Sequence, residues 1–396
     1  MYLGRTRWIS GNLVTFCDWP RPLATRGTLW HRYAVAVTTL LVAAGGGGDA
    51  IAAAALSPLA PGGGVGVATF AWDRLLVDPL PGPRSAADFA GLERRNDWWQ
   101  VTGRSRPVAP AGSTLPRLAD EIPFPLILLD PSGGARSIHR QIAAAATELG
   151  AEHIRVVDVG GDLLGRPGDA GLRSPLADAL TATSCLGLPS LAWIAGPGLD
   201  GELPENVVVE RCADATVLSV DAALWEPYLA VLQWHPSEAT TLLASASLGT
   251  RGTVEIRDAG IPVPLTARSP SVHELDMSAV CHANPLVPAL AQTESLSEAE
   301  RLAVGVLGST ELDVERVKAS QRRERRPLSG DDILGTLPRW DEAARERGID
   351  YVTYRRLAEA LGNVDVPTLR ALLRARRPDR AAGLLWPTGT KPLRAD

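Results

Sequence analysis

The stretch that decides the fold runs Leu40-Leu-Val-Ala-Ala-Gly45-Gly-Gly-Gly48-Asp49-Ala-Ile-Ala-Ala53: an apolar run, four consecutive glycines, an acid, and an alanine-rich continuation. A short apolar run stopped by glycine reads as a strand buried on both faces, and the Ala-rich run after it as a helix, so the two open a βαβ unit. Glycines at such a turn let backbone N–H groups approach a ligand, and the helix N-terminus behind them favours a phosphate or carboxylate. A tight strand-to-helix turn that simply needs small residues is the competing explanation. The run is not G-x-G-x-x-G with an acid about 20 positions on, so no dinucleotide fingerprint is indicated.

The same alternation continues outward from this turn. It predicts strands at Val37–Ala43, Val65–Trp72, Pro125–Leu129, Ile154–Val159, Ser190–Ile194 and Val217–Val220, with helices at Ser137–Leu149, Pro175–Leu186, Ala222–His235 and Ser237–Leu248. Residues 78–124 are rich in Pro, Gly and Arg and carry Trp98 and Trp99, which makes them a candidate lid or binding loop; paired tryptophans more commonly pack a loop onto the body. Beyond about residue 290 charged helical patterns take over, at Leu296–Leu307, Asp313–Arg325, Pro338–Arg347, Tyr351–Leu361 and Pro367–Arg376. The expectation is an α/β fold with a Rossmann-like, mostly parallel sheet and a helical C-terminal region. Residues 1–29 form an N-terminal extension expected to be poorly ordered, 30–290 an α/β ligand-binding domain and 291–396 the helical region.

Composition narrows the chemistry. The 396 residues, 45% hydrophobic, suffice for two or three domains with a sizeable core. Only two of the 40 Lys and Arg residues are lysine, Lys318 and Lys391, and neither lies in a phosphate-loop context. A Walker-type lysine is therefore excluded, and Schiff-base or pyridoxal phosphate chemistry is not expected. With a net charge of −5, the abundant arginine does not make a nucleic-acid surface, and the run Gln321-Arg-Arg-Glu-Arg-Arg326 reads as a solvated helix face. Cys17, Cys185, Cys212 and Cys281 show no C-x-x-C spacing, so neither a disulfide framework nor a zinc finger is expected. No stretch reads as a signal peptide or membrane span, giving a cytoplasmic expectation with no membrane partner; a homo-oligomer is compatible.

Acids recur where the predicted strands end. Asp49 follows the first strand, Asp78 the second, Asp130 the third, Asp162 (after Gly160 and Gly161) the fourth, and Asp200 with Glu202 the fifth. In an open parallel sheet the carboxyl ends of the strands line the ligand-binding edge, so these acids are expected to converge. Clustered carboxylates need compensation. A divalent ion such as Mg²⁺ held by Asp49 and Asp162, sugar or ribose hydroxyls, or a division into general acid and general base would each supply it. Asp78, Asp130 and Asp162 are the catalytic candidates. Gly45, Gly46, Gly47, Gly48, Asp49, Arg84, Gly160, Gly161, Arg173, Asp200 and Glu202 are the ligand-binding ones, with Arg84 and Arg173 placed to clamp an anion. A covalent serine or cysteine nucleophile lacks its G-x-S-x-G setting. The pattern points to a small-molecule enzyme working on a phosphorylated, nucleotide-like or polyhydroxylated metabolite by hydrolysis, elimination or group transfer. The alternative is a non-catalytic sensor or assembly protein binding such a ligand.

Several motifs occur together: Gly45–Asp49, Trp72-Asp-Arg-Leu-Leu-Val-Asp78-Pro-Leu-Pro-Gly-Pro-Arg84, Gly160-Gly-Asp162, Gly171-Leu-Arg-Ser-Pro-Leu-Ala-Asp178, Gly198-Leu-Asp-Gly-Glu202 and Gly348-Ile-Asp-Tyr-Val-Thr-Tyr-Arg-Arg-Leu-Ala-Glu359. In combination they resemble a prokaryotic domain-of-unknown-function family found in archaea and actinobacteria, over roughly residues 35–390. The resemblance implies membership without a reaction. Residues 1–29 look additional to it, and the Pro/Gly-rich stretch after Ala55 is shorter than the helix the family leads one to expect.

Overall fold

A computed structural model of the chain describes residues 6–9, 12–15, 37–321, 329–362 and 364–389. The chain divides at residue 36 into two units. In the first, β1 (Thr6–Ile9) and β2 (Asn12–Thr15) pair as an antiparallel ribbon. The rest of the 1–29 extension, Cys17 included, lies outside the described residues, as do Lys391 and most of the 321–326 run.

The second unit is built on a nine-stranded sheet. In chain order its strands are β3 (Thr39–Ala43), β4 (Gly64–Thr69), β6 (Glu93–Arg94), β7 (Trp99–Val101), β9 (Leu126–Leu128), β10 (His153–Val159), β11 (Ser190–Ala195), β12 (Thr216–Ser219) and β15 (Ser271–Asp276). The spatial order is β12-β15-β11-β10-β3-β4-β9-β7-β6, and the central run from β11 to β9 is parallel throughout. The fold is α/β, with antiparallel strands added at the two edges. From β3 the chain passes through α1 (Asp49–Leu56) to β4 and then β9; α3 (Gly134–Leu149) carries it back across β3 to β10, and α4 (Pro175–Ser184) leads on to β11. Connections thus leave β3 and β10 in opposite directions. A crevice opens at the carboxyl ends of two such strands, the usual ligand position in this architecture.

Every residue of β3 is buried, because helices cover both faces. Leu41 and Ala43 join the core under α1 and α6 (Ala239–Ser247), while Leu40 and Val42 join the opposite core with α3, α4, α7 (Met277–Ala283), α8 (Leu286–Ala289) and α9 (Leu296–Leu307). Each fully buried Leu here contributes about 1.5–3 kcal/mol.

The predicted strands all form, within a few residues. Other elements depart from expectation for local reasons. The predicted helix over Ala222–His235 is two 3₁₀ segments, Ala222–Tyr228 and Val231–Gln233, since Pro227 cannot donate the next helical hydrogen bond. The C-terminal region holds α10 (Glu311–Gln321), α11 (Gly330–Glu346), α12 (Tyr354–Ala360) and α13 (Val366–Arg376). It also contributes β16 (Tyr351–Thr353) and β17 (Leu385–Pro387) to a four-stranded sheet with β13 (Gly252–Ile256) and β14 (Ile261–Leu265). The predicted helix over Tyr351–Leu361 therefore begins as a strand, pairing Tyr351 and Val352 in parallel with Val254 and Glu255. Pro262 and Pro264 argue against a strand, yet β14 sits at the sheet edge where missing donors are tolerated.

The 78–124 segment is structured rather than a free lid. It forms a ribbon of β5 (Phe89–Ala90) with β8 (Arg106–Pro107), the hairpin β6/β7, and α2 (Leu115–Glu121). Trp98 is buried and its indole donates to Glu148 Oε2 at 2.9 Å on α3; Trp99 lies in β7. Remaining helices include α5 (Glu205–Arg211). Among the described residues Cys185, Cys212 and Cys281 are free thiols, and no helix is long and apolar enough to cross a membrane.

Candidate functional site

The crevice between β3 and β10 is a pocket whose lining starts with the glycine turn. Gly48 ends the turn as the N-cap of α1, and the chain before α6 presses directly on it: a Cβ there would fall 1.8 Å from Ser237 Oγ. Close packing explains the absence of a side chain at Gly48, while the N-terminus of α1 is left without a side-chain cap. Trp72, Asp73 and Arg74 form another wall, and His235 to Ala239 a third.

Acids crowd this space. Carboxylate oxygens of Asp49, Asp158 and Asp178 lie within 4.8 Å of one another, and those of Asp162, Asp200 and Glu202 do likewise. Each arrives by a different route: Asp49 opens α1, Asp158 is in β10, Asp162 starts the turn after it, Asp178 lies in the wholly buried α4, and Asp200 and Glu202 follow β11. Gly160 adopts φ +125°, and a Cβ on it would sit 2.3 Å from the Asp200 carboxyl carbon, so this glycine admits Asp200 to the site.

Burial dominates the electrostatics. It raises Asp49 to about 7, against the Gly45 N–H and Arg74, and Asp200 to about 7, with the charge of Glu202 adding to the rise and Arg257 opposing it. Asp158, Asp162 and Asp178 are pushed well above the usual carboxylate range, first by burial and then by their acidic neighbours. Glu311 rises to about 8 through burial, although it accepts the N–H groups of Leu176 and Ala177 at 3.0 and 2.7 Å at the start of α4. Glu202 goes the other way. Burial opposes its charge, but Arg257, Ser174 and the Arg173 N–H outweigh that, and it lies below its ordinary value.

Arg257 comes from the β13–β14 turn and meets Glu202 Oε1 at 2.8 Å. It is the one non-glycine among the described residues with positive φ, at 59°, a conformation that costs energy unless its surroundings impose it. Glu238 imposes it by accepting the Arg257 N–H with both oxygens at 3.1 Å, while pairing with Arg355 of α12 at 3.3 Å. Arg74 is exposed at the pocket and in no salt bridge among the described residues. His235 is buried, neutral, and driven down to about 3 by desolvation, with Arg117 nearby adding to the shift.

The structure brings Gly45–Gly48, Asp49, Asp162 and Asp200 to the pocket lining, with Gly160 and Gly161 shaping the turn and Glu202 beside it. Arg173 reaches the site through its backbone N–H to Glu202 Oε2 at 2.6 Å. Asp78, Arg84 and Asp130 are not brought there. Asp78 and Arg84 form a buried ion pair at 3.0 Å, and the Arg84 guanidinium ties down the carbonyls of Leu80, Pro81 and Gly82, so the two fold the 78–84 turn. Asp130 caps the following 3₁₀ turn through the Ser132 N–H at 2.9 Å, accepts the Ala86 N–H, and lines a separate hollow with Trp98 and Trp99. Site members missed in the sequence include Asp158, Asp178, Glu311, Arg257 and Arg355. A charge inside an otherwise apolar segment, as in Val-Val-Asp158-Val and Leu-Ala-Asp178-Ala-Leu, was the available signal for the first two.

Comparison with the curated proteins and with the solved structures returns no match to this chain. A family model matches residues 40–319, which span the glycine turn, the nine-stranded sheet and every carboxylate of the two triads. The chain belongs to the family described as "Protein of unknown function (DUF1152)".

Proposed function

We propose that the β3–β10 crevice is the active site of an enzyme acting on a small phosphorylated, nucleotide-like or polyhydroxylated metabolite by hydrolysis, elimination or group transfer. The observation that carries the reading is the convergence of the glycine turn, the α1 N-terminus and the Asp49, Asp178, Asp162 and Asp200 carboxylates, two from each triad, on one pocket at the topological switch point. In this reading the Gly45–Gly48 turn and the exposed Arg74 at the pocket rim receive the anionic end of the ligand. Asp162 accepts from its hydroxyls, and Asp200, held near 7, passes a proton at neutral pH. The test is incubation of the full chain with a cellular metabolite extract and Mg²⁺, followed by mass spectrometry. Wild type consumes a compound of this class, and Asp200→Asn consumes it at least ~100-fold more slowly, as expected for loss of a general acid–base. An extract unchanged by wild type contradicts the reading.

One observation favours a sensor instead. Glu311 and Glu315 of α10 and Arg355 of α12 line the same pocket, so a ligand there touches the C-terminal helices directly. That alternative predicts a compound retained on the protein and never converted.

A further inference from the structure

We propose that Asp49, Asp158 and Asp178 form a divalent-cation site, with Mg²⁺ or Mn²⁺ as its ion and the open face of the ion turned to the ligand. The inference rests on reading the crevice as the functional site and adds the cofactor of that site. Oxygens bound to an octahedral ion at about 2.1 Å lie about 3.0 Å apart when adjacent and about 4.2 Å apart when opposite, and the three carboxylates already offer one oxygen each within 4.8 Å of the others.

A separate observation points to a missing partner. Asp178 is 2% exposed, lines the pocket, and its Oδ1 has no hydrogen-bond partner among the described residues. A buried carboxylate oxygen left unpaired is rare enough to require an explanation, and an ion is the simplest one. None of the three aspartates is in a salt bridge among the described residues, and the one arginine whose charge is felt there, Arg74, acts on Asp49 from beyond salt-bridge distance. The second triad also holds an unpaired oxygen, Asp200 Oδ2, but it differs in having an arginine in its midst. Glu202 there is already satisfied by Arg257, by the Ser174 hydroxyl and by the N–H groups of Arg173 and Ser174, which leaves it a poor ligand.

The first triad is also held in place from behind, as ligands usually are. Asp49 Oδ2 accepts the Gly45 N–H at 3.1 Å, and Asp158 accepts the N–H groups of Gly161 and Leu163 at 3.4 and 3.2 Å. Gly45 leaves room beside the ligands, since a Cβ on it would approach Asp49 Oδ2 to 3.0 Å and Asp178 Oδ1 to 3.3 Å. An all-oxygen donor set selects a hard cation over zinc or copper.

The experiment is a Mn²⁺ titration of the full chain after chelator treatment, read by electron paramagnetic resonance of the free ion, with no substrate present. Wild type binds one Mn²⁺ that Mg²⁺ displaces, Asp178→Asn binds at least ~100-fold more weakly, and Asp130→Asn is unchanged. Asp178→Asn is nearly isosteric and relieves like-charge crowding; the half-buried Asp49→Asn gives the same loss as a second variant, and circular dichroism confirms both are folded. Absence of Mn²⁺ binding up to millimolar concentrations overturns the proposal, and so does binding that survives both substitutions. Mn²⁺ binding by a chain that converts no metabolite supports the cation site and counts against the enzyme reading alone; conversion without Mn²⁺ binding does the reverse.

Discussion

Replacing Arg257 by alanine removes the guanidinium that faces Glu202, whose side chain is wholly buried. Breaking a buried ion pair costs about 3–5 kcal/mol, and the low end, about 3 kcal/mol, applies here because Glu202 keeps the Ser174 hydroxyl and two backbone N–H donors. At about 2.1 cal/mol/K per residue, a chain of 396 residues has an unfolding entropy of about 0.8 kcal/mol/K, so the melting midpoint falls by about 4 °C. Alanine retains the left-handed backbone of position 257, whereas glycine adopts it freely; Arg257→Gly therefore costs about 1 kcal/mol less than Arg257→Ala. The pH dependence has a defined sign. Glu202 lies below its ordinary 4.5 in the folded state, so its charged partnership stabilises above that value and is lost as pH falls through the folded one. The gap between wild type and Arg257→Ala is accordingly full at pH 7 and narrows near pH 4. Adding Glu202→Gln removes the stranded charge, and the double variant recovers about 2 kcal/mol relative to the sum of the single changes. Urea denaturation followed by circular dichroism at the two pH values measures all of this. A cost at pH 7 below about 1 kcal/mol, or strict additivity of the two substitutions, would refute the pairing argument.

Other outcomes follow from the same geometry. Gly160→Ala drives a Cβ against Asp200 at a position with φ +125°, and should cost about 1–3 kcal/mol of stability and abolish turnover of any ligand found, as read by denaturation and mass spectrometry. Asp78→Asn breaks the buried pair with Arg84 and should cost about 3 kcal/mol while leaving metabolite turnover and Mn²⁺ binding as in wild type, since the 78–84 turn lies outside the pocket lining. His235, at about 3 in the folded state against 6.5 in the unfolded, stays neutral while the unfolded chain protonates, so its contribution falls with acid by up to about 1.4 kcal/mol per pH unit between those values. The stability difference between wild type and His235→Gln should thus shrink between pH 6.5 and pH 5 in urea titrations.

Much of the fold was legible in the chain, and the limits are instructive. Strands of the parallel core, such as Ile154–Val159, announce themselves because burial on both faces demands a continuous apolar run. β13, β14 and β16 did not: Pro262 and Pro264 mask β14, the hairpin partner of β13, and β16 is held by a strand about 100 residues away, as Tyr351 is by Val254. At the site, the glycine turn and Asp49, Asp162 and Asp200 were readable because a parallel sheet puts all its strand ends on one edge. The same rule overreached at Asp78 and Asp130. The first belongs to a long excursion between β4 and β9 where it pairs with Arg84, and the second turns back to cap its own loop. Asp178 stands out as a charge inside an apolar helix, but nothing local indicates that this helix, or the distant hairpin turn that carries Arg257, will face the crevice. The scarcity of lysine steered the reading toward carboxylates and arginine, and the pairing of Arg257 with Glu202 and of Arg355 with Glu238 is the form that took.

The acids of the β3–β10 crevice are tested most directly by anomalous diffraction from crystals grown with Mn²⁺. A peak within about 2.1–2.3 Å of carboxylate oxygens from Asp49, Asp158 and Asp178, absent from crystals of Asp178→Asn, is the predicted result. A crevice without a peak at saturating Mn²⁺, or a peak that stays in place when Asp178 is replaced, would contradict it.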